Sequence, residues 1–486
     1  MRFLFFGGSF LCLSWALVRF DVGAFLFERL YGFSCVRCLL KDAWTVAIET
    51  LSWIELQKLS ERLALAKTIK QLDVRNPNAV RYAYGLVVET VRRKNLIDKV
   101  VNSVLAPKEI SEFNMGVQAF LRLYVYQTRI AKHWGEFELK EAENIAKLGR
   151  SILGWKTLRE TESFLGFLLT LQLDHVLKEV DAEEKIGLQT FHPTWFVKYC
   201  INLLGHREAV AFLEADVNPP PTCIRVNTLK ASEEEILETL AAEGVKLEKT
   251  EPLKHVYTVL GSKQSLTDSA GFREGLFYIQ DKASCFAAEA ADPKPGMTVL
   301  DICAAPGAKT TYLAQLMQNR GSIYSVDYSV RRMEAWRREV ARMGVKTTEP
   351  VLADACVSLP LPLEADVVVL DPPCTSTGVF AKQPSAKWRL KPRSIEKMAD
   401  IQWRMINNCA EQLKAGGFLT YSTCSITIEE NEMIIERFLK QHPEFSLADI
   451  KPEMGLPGLK GLDKCRRLYP HTHESNGFFI AKLRKQ

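Results

Sequence analysis

The sequence predicts an α/β protein. Its C-terminal part is an open sheet domain, preceded by a small α+β module and an all-α N-terminal domain. Three observations carry this. From Thr298 onward, short apolar runs alternate with helical spacing of apolar residues, and the runs end at or near Asp301, Asp327, Asp354 and Asp371. Before that, from Cys223 to Ile279, a strand-like run, a helix and further short strands follow closely on one another. Earlier still, between residues 43 and 188, apolar side chains recur at three- and four-residue steps and strand signals are nearly absent.

A chain of 486 residues exceeds what one hydrophobic core normally organises, so two or three domains are expected. At 47% apolar and 25% charged residues it is a folded chain and not a disordered one. The formal charge of +5 is too small to argue for nucleic acid by itself, so such contacts must come from local clusters of basic side chains. The 12 cysteines are scattered, which favours free thiols in a reducing, cytoplasmic setting over a disulfide framework.

Residues 1–40 read as an apolar N-terminal extension. Residues 3–18 are apolar behind a single Arg2, which suits a signal-peptide core and is short for a membrane span. No small-residue cleavage site follows, and residues 24–40 are again apolar and aromatic. An atypical extension from an upstream start codon is favoured over a targeting segment, and no stable membrane association is expected. Cys35-x-x-Cys38 has metal or redox spacing but no second pair, so the two are read as structural or incidental cysteines.

Residues 41–188 form the helical domain. Tyr84, Val87, Val88 and Val91, then Leu96, Ile97, Val100, Val101 and Val104, mark successive amphipathic helices, with breaks at Pro77 and Pro107. No chemistry is expected here. Residues 189–267 form the small module. In Cys223-Ile224-Arg225-Val226-Asn227, Arg225 and Asn227 alternate with apolar neighbours and share one face of a strand, and a helix runs from Glu233 to Glu243, its first three glutamates read as a solvated face. The arrangement suggests an RNA-recognition type of fold.

Residues 268–486 form the α/β domain. A buried strand at 299–302 leads into Cys303-Ala304-Ala305-Pro306-Gly307-Ala308-Lys309, after which helical spacing resumes. Small side chains there let a ligand approach the backbone, and amides at a helix start can bind a carboxylate. Strands at 322–326, 349–352 and 366–370 bring Asp327, Asp354 and Asp371 to their carboxyl ends, where open α/β sheets bind ligands. A Gly-x-Gly-x-x-Gly fingerprint is absent, so a nucleoside with a carboxylate end fits better than a dinucleotide. Two thiols, Cys374 after Asp371-Pro372-Pro373 and Cys424 after a strand at 418–423, converge if these strands are neighbours.

The blocks starting at Asp301, Asp371-Pro372-Pro373-Cys374-Thr375-Ser376-Thr377-Gly378 and Tyr421-Ser422-Thr423-Cys424-Ser425 resemble, in order and spacing, the signatures of the RsmB/Sun family of RNA cytosine-5 methyltransferases. The resemblance implies a Rossmann-like class I methyltransferase domain that uses S-adenosyl-L-methionine. It further implies that Cys424 is the nucleophile, that Cys374 assists breakdown of the covalent adduct, and that Asp371 contacts the ring nitrogen. Cys303, Ala304, Ala305, Pro306, Gly307, Ala308, Lys309, Asp327, Asp354 and Asp371 would line the cofactor site. The family usually has glycine where this chain has Ala308, so a positive φ there would be strained.

By the same resemblance, Arg225, Asn227, Gln280 and Asp281 match polar residues beside the site, with packing between module and catalytic domain an equal alternative to RNA contact. The helical domain is weakly similar to NusB-like domains. That similarity favours rRNA over tRNA as the substrate, with a non-catalytic RNA-binding assembly factor as the alternative class. RNA and no DNA is the partner expected, and a monomer is expected as the oligomeric state. The segment 382–397, with Lys382, Lys387, Arg389, Lys391, Arg393 and Lys397 around Trp388, reads as a cationic loop able to hold phosphates and stack a base. His471-x-His473 lacks further ligands at a recognised spacing, so no metal is expected.

Overall fold

Apolar periodicity sets the architecture of the N-terminal part, and caps set its boundaries. The computed structural model describes residues 38–486 apart from 132–137, 179, 358 and 360–363. The apolar stretch 3–18 and Cys35 lie outside the described residues. Among the described residues, no helix is long and apolar enough to cross a membrane. The chain divides into two units, residues 1–185 and 186–486.

The first unit is helical throughout its described residues, with helices at 38–57, Glu61–Leu72, Pro77–Arg92, Lys94–Leu105, Met115–Val125, Leu139–Leu153 and Trp155–Thr170. Asn76 starts the third of these by accepting hydrogen bonds from the amides of Asn78 and Ala79 at 3.0 and 3.3 Å, and Pro77 occupies a position where no amide is needed. Val87, Val91, Leu96, Ile97, Val100 and Val101 are all buried, as their spacing requires. Arg122, also buried, donates to Asp98 at 2.7 and 3.0 Å and to Glu55 at 3.3 Å, which ties three helices together through one charge.

The second unit holds two sheets. The smaller contains β1 (Cys223–Val226), β2 (Val245–Lys249), β3 (Val256–Ser262) and β4 (Phe277–Ile279) in the order β2-β3-β1-β4, all antiparallel. Its last strand lies beyond residue 267, in the stretch the sequence assigned to the α/β domain. A helix at Glu233–Ala242 begins with a reciprocal Ser232 and Glu235 capping box. Glu233 is not simply solvated: its carboxylate accepts from Lys249 at 3.0 Å and from Tyr257.

Packing, and not solvent, claims the polar face of β1. Arg225 is fully buried, with Nε donating to Gln280 at 3.0 Å, Nη2 to the Thr311 hydroxyl at 2.8 Å and Nη1 to Gln315. Asn227, equally buried, donates to the carbonyls of Gly275 and Met343 at 2.8 Å each. Both residues therefore join the small sheet to the α/β domain, the second of the two roles expected of them. Arg225→Ala strands three polar partners in a site closed to water. It should cost about 3 kcal/mol in denaturant unfolding of the full chain, and a change within experimental error would show that the joint is dispensable.

The larger sheet contains β5 (Thr298–Ile302), β6 (Ser322–Asp327), β7 (Thr348–Leu352), β8 (Ala365–Leu370), β9 (Leu413–Thr423), β10 (Phe445–Leu447), β11 (Leu456–Pro457), β12 (Arg466–Leu468) and β13 (Phe478–Lys485). Its order is β11-β12-β13-β9-β8-β5-β6-β7, with β10 beside β13. Strands β7, β6, β5, β8 and β9 are parallel, and β13 runs antiparallel to β9. Val299, Leu300, Val367, Val368, Val369, Leu370 and Leu419 are fully or almost fully buried, which is what an internal parallel sheet covered on both faces demands. Pro350 sits in β7, an edge strand, where a missing amide leaves no gap in the ladder.

Candidate active site

Going outward from β5 to β6 and β7 on one side, and to β8 and β9 on the other, the strand order reverses direction between β5 and β8. The crevice at the carboxyl ends of such a pair is where open α/β sheets take ligands. The loop after β5, residues 303–307, and the loop after β8, residues 371–374, open into that crevice together, since Ile302 and Leu370 are paired in register.

The thiols follow from the same register. Leu370 of β8 is paired with Tyr421 of β9, so Cys374 and Cys424 leave adjacent parallel strands at nearly the same level. Their sulfurs are 3.3 Å apart, and Ser376 Oγ lies 3.6 Å from Cys424 Sγ and 4.0 Å from Cys374 Sγ. Both side chains are partly accessible. At that separation the two titrate as a pair, and one proton is given up much more readily than the other. The hydrogen bond from Cys374 brings the Cys424 thiol below its ordinary range against the opposing effect of burial, with Ser376 and Lys309 adding to the fall. The same contact, reinforced by burial and by the charge of Glu430, pushes Cys374 well up.

Close backbone packing holds this corner. The amide of Gly378 donates to the Cys424 carbonyl at 2.9 Å, and the amide of Gly477 donates to the Gly378 carbonyl at 2.8 Å. A Cβ on Gly378 would stand 2.1 Å from the Gly477 carbonyl oxygen, so no side chain fits.

Lys309, almost fully buried in the first turn of the helix Ala308–Leu316, reaches Asp371 with Nζ 2.6 Å from Oδ2. Ser422 of β9 donates to the other carboxylate oxygen at 3.3 Å. Burial lowers the Lys309 pKa, but the charge and hydrogen bond of Asp371 outweigh it and keep the ammonium protonated. Asp327, buried at the end of β6, accepts from the Ser329 amide at 3.1 Å and pairs with Arg332 at 3.1 Å, while Arg332 also donates to the Ala305 carbonyl at 2.5 Å. Asp354, past the end of β7, is exposed and accepts from the Cys356 amide at 2.9 Å.

The strain anticipated at Ala308 is not there. Positive φ falls instead on Cys303, at 62°, and Gly307, at 110°, and Ala308 is already the first helical residue. Glycine is required at 307 for its backbone and because a Cβ there would press on Trp336 at 3.3 Å. Burial pushes the Cys303 thiol far up, which leaves it inert.

Asp301 belongs beneath the loop. It is buried within β5 and accepts a 2.5 Å hydrogen bond from Thr310, which in turn accepts one from Trp336 Nε1 at 3.0 Å. Its carboxyl is pushed up to about 7, chiefly by burial and with help from the charges of Asp371 and Asp327, against the opposing pull of Thr310 and Lys309. In the unfolded chain an aspartate titrates near 4. Between those values the folded form holds a proton that the unfolded form releases, so the stability Asp301 contributes is complete below about pH 4 and lost as pH rises through about 7. Asp301→Asn should remove this dependence. Relative to wild type the variant should gain about 4 kcal/mol between pH 4 and pH 8 in denaturant unfolding, and a constant difference would contradict the shift.

The cationic segment differs from its reading as a loop. It supplies the helix Pro384–Arg389 and the start of Arg393–Glu411, Lys387 is buried, and Lys382 pairs with Asp281 at 2.9 Å. Lys391, Arg393 and Lys397 remain exposed. His471 lies 3.5 Å from Glu208, and His473 Nδ1 accepts from the Tyr469 amide at 3.0 Å, so each imidazole has a protein partner.

One group beside the thiols was passed over in the sequence. Glu430, in the short acidic run 429–432, is fully buried and bonded to both thiol-bearing turns. The only sequence signal was an acidic residue soon after the end of β9, and nothing local says that it points inward.

Parallel strands in this order, flanked by an antiparallel one, frame the Rossmann-like methyltransferases, and a paired thiol at their carboxyl edge suits covalent attack on a pyrimidine ring. Residues 288–484 match the family described as 16S rRNA methyltransferase RsmB/F, and residues 192–260 match the ferredoxin-like domain of RsmF/B-like methyltransferases. A Bacillus subtilis (strain 168) relative, named probable ribosomal RNA small subunit methyltransferase B, is 30% identical over 456 residues, which cover 91% of this chain and 98% of the relative. The crystal structure of PH0851 superposes with a TM-score of 0.75 at 32% identity, over 92% of this chain and 99% of that one. That of NSun6 from Pyrococcus horikoshii with SFG gives 0.56 at 28% identity, over 60% and 98%. The chain belongs to the RsmB/F family and is an RNA (cytosine-5-)-methyltransferase.

Proposed function

We propose that the protein forms 5-methylcytosine in structured ribosomal RNA, with S-adenosyl-L-methionine as methyl donor and Cys424 as covalent nucleophile. The observation that carries this reading is the 3.3 Å contact between Cys374 and Cys424 at the ends of adjacent parallel strands. Ribosomal RNA is favoured because the Bacillus subtilis relative, similar over nearly its whole length, is named for the small-subunit RNA.

The residues present suit the donor. Its amino-acid carboxylate matches amides of the loop at 303–307 and of the first turn of the helix after it, where Gly307 leaves room for close approach. Asp327 and Asp354 offer carboxylates to ribose hydroxyls and Asp371 one to the cationic sulfonium. When bound, the donor supplies an electrophilic methyl group.

The chain's own groups do the rest. Carbon 5 of cytosine is a weak nucleophile, so the Cys424 thiolate adds to carbon 6, a sulfur–carbon bond forms, and the displaced electron pair enriches carbon 5. The proton that the Cys424 thiol gives up passes by way of Asp371 to ring nitrogen 3 as negative charge builds there, and Lys309 holds Asp371 in place and favours the thiolate. After methylation Cys424 is bonded to carbon and no longer holds the proton of Cys374 in place, so Cys374 releases that proton to solvent and then, directly or through a water, takes the proton from carbon 5. The sulfur–carbon bond then breaks and its electrons return to Cys424. A base buried in a duplex is out of reach, so the target is unpaired or flipped out, with exposed Lys391, Arg393 and Lys397 contacting phosphates. The reading places the enzyme in the cytoplasm as a monomer, with neither DNA nor membrane as partner.

The test is bisulfite sequencing of total RNA from cells with and without the gene, together with tritium transfer from labelled donor to purified RNA. A single rRNA cytosine that loses its methyl group supports the reading. A tRNA position instead would correct the substrate, and no transfer to any RNA would overturn the catalytic assignment.

A further inference from the structure

The carboxylate of Glu430 has no place in the steps above, yet it is fully buried and every contact it makes is with a hydrogen-bond donor. Oε1 accepts from the Thr375 amide at 2.8 Å and from Gln402 Nε2 at 2.9 Å. Oε2 accepts from the hydroxyls of Ser425 at 2.7 Å, Thr427 at 2.6 Å and Thr375. Thr375 is the residue after Cys374, and Ser425 is the residue after Cys424. The same Gln402 nitrogen donates to the Pro373 carbonyl at 2.9 Å, one residue before Cys374. Across the back of the carboxylate, the Tyr421 hydroxyl donates to the Glu430 carbonyl at 2.6 Å, which fixes the backbone of Glu430 to the strand that carries Cys424.

A group bonded to both turns constrains the distance between them. Neither turn is regular structure: each leaves a parallel strand, and no ladder bond joins residues 374 and 424 to one another. The hydroxyls of Thr375 and Thr377 also approach Ser425 Oγ, at 3.1 and 2.9 Å, so the network closes on itself around one carboxylate. Removing a buried carboxylate held this way leaves several of its donors unpaired in a dry site.

We infer that Glu430 is a positioning residue for the methyl-transfer reaction: by bonding Thr375 and Ser425 at once, it holds the sulfurs of Cys374 and Cys424 in contact. The inference rests on the proposed use of both thiols. It adds that the reactive geometry is set by a third side chain that touches neither sulfur nor substrate. An amide cannot replace the carboxylate, because one of its two ends is a donor facing donors.

The experiment uses the full chain and reads the geometry without relying on turnover. Dibromobimane bridges two thiols only when they are close, and the bridged peptides are identified by mass spectrometry. In wild type, Cys374 and Cys424 should be bridged. In Glu430→Gln, the rate of that bridge should fall at least tenfold and kcat about as much, while KM for RNA and donor affinity stay close to wild type and the thermal midpoint, though lowered by the unpaired donors, stays above the assay temperature. Glu430→Asp, which restores the charge one methylene short, should recover part of both. Should Glu430→Gln fail to fold, Ser425→Ala removes one link and leaves the carboxylate, and should slow bridging severalfold.

Bridging and kcat within twofold of wild type in folded Glu430→Gln, or in Ser425→Ala where Glu430→Gln does not fold, overturn the inference. Failure of the underlying reading looks different: Cys424→Ala would then keep its activity while wild-type bridging and the Glu430→Gln defect in bridging persist.

Discussion

Cys424→Ala should abolish methyl transfer, lowering kcat by about 1,000-fold or more, which corresponds to roughly 4 kcal/mol of barrier. The reaction needs a nucleophile that adds to carbon 6, and no other thiol can take over that role. With Cys424 gone, burial and the charge of Glu430 still push the Cys374 thiol up, and Cys303 is inert through burial. The loss is chemical and not structural. Cys424 is partly accessible and contributes little to the core, so thermal midpoint, donor binding and RNA binding should match wild type. A second readout follows from the electrostatics. Because Cys424 lies below the ordinary thiol range, wild-type activity should persist at pH values where a free cysteine is fully protonated. Lys309→Met, which removes a nearby positive charge, should move the acid limb of the rate profile to higher pH. A Cys424→Ala protein that methylates RNA at the wild-type rate would refute covalent catalysis by this residue.

Cys374→Ala should behave in the opposite way, trapping protein and RNA together. Addition at carbon 6 and methylation at carbon 5 need only Cys424, but release needs the proton at carbon 5 to leave. Without Cys374 the adduct should accumulate as a slowly migrating band on a denaturing gel, and steady-state turnover should fall about 100-fold. The contact between the sulfurs adds a refinement. Cys374 is the chief cause of the low pKa of Cys424, so its removal should also slow formation of the adduct near neutral pH. Trapping should therefore be more complete at pH 8 than at pH 6.5. A double variant, Cys374→Ala with Cys424→Ala, should show no band, which separates a bond through Cys424 from nonspecific crosslinking. Intact turnover without any adduct in Cys374→Ala would remove Cys374 from the mechanism.

The two predictions differ in sign at the gel because the thiols, though chemically identical, occupy different electrostatic positions. Lys309 and Ser376 favour the thiolate at Cys424, whereas the buried charge of Glu430 opposes one at Cys374. Identity at the atomic level is broken by surroundings drawn from three separate parts of the chain.

Much of this was present in the order of residues. An apolar run followed by small residues, Gly307 and renewed helical spacing can hardly be anything but a strand, a tight loop and a helix, because only that succession buries the apolar side chains and frees the loop backbone. The residues of β5, β6 and β8 were readable for the same reason, and so was the helical unit, whose periodicity is strong over long stretches. Other elements were not. Strands β10, β11 and β12 are only 3, 2 and 3 residues long, too short to show an alternating pattern, and β13 pairs antiparallel with β9 only because the sheet offers it an edge. Lys387 reads as one more surface cation, yet it is buried.

By itself, then, the sequence determined which side chains can do chemistry and at which strand ends they sit, since both depend on local pattern and residue type. Tertiary structure alone decided that two sulfurs fifty residues apart in the chain meet at 3.3 Å, that Arg225 and Asn227 serve packing, and that Glu430 faces inward. Those outcomes depend on strand order and on which donors surround a buried charge, and neither is written in any single stretch of the chain.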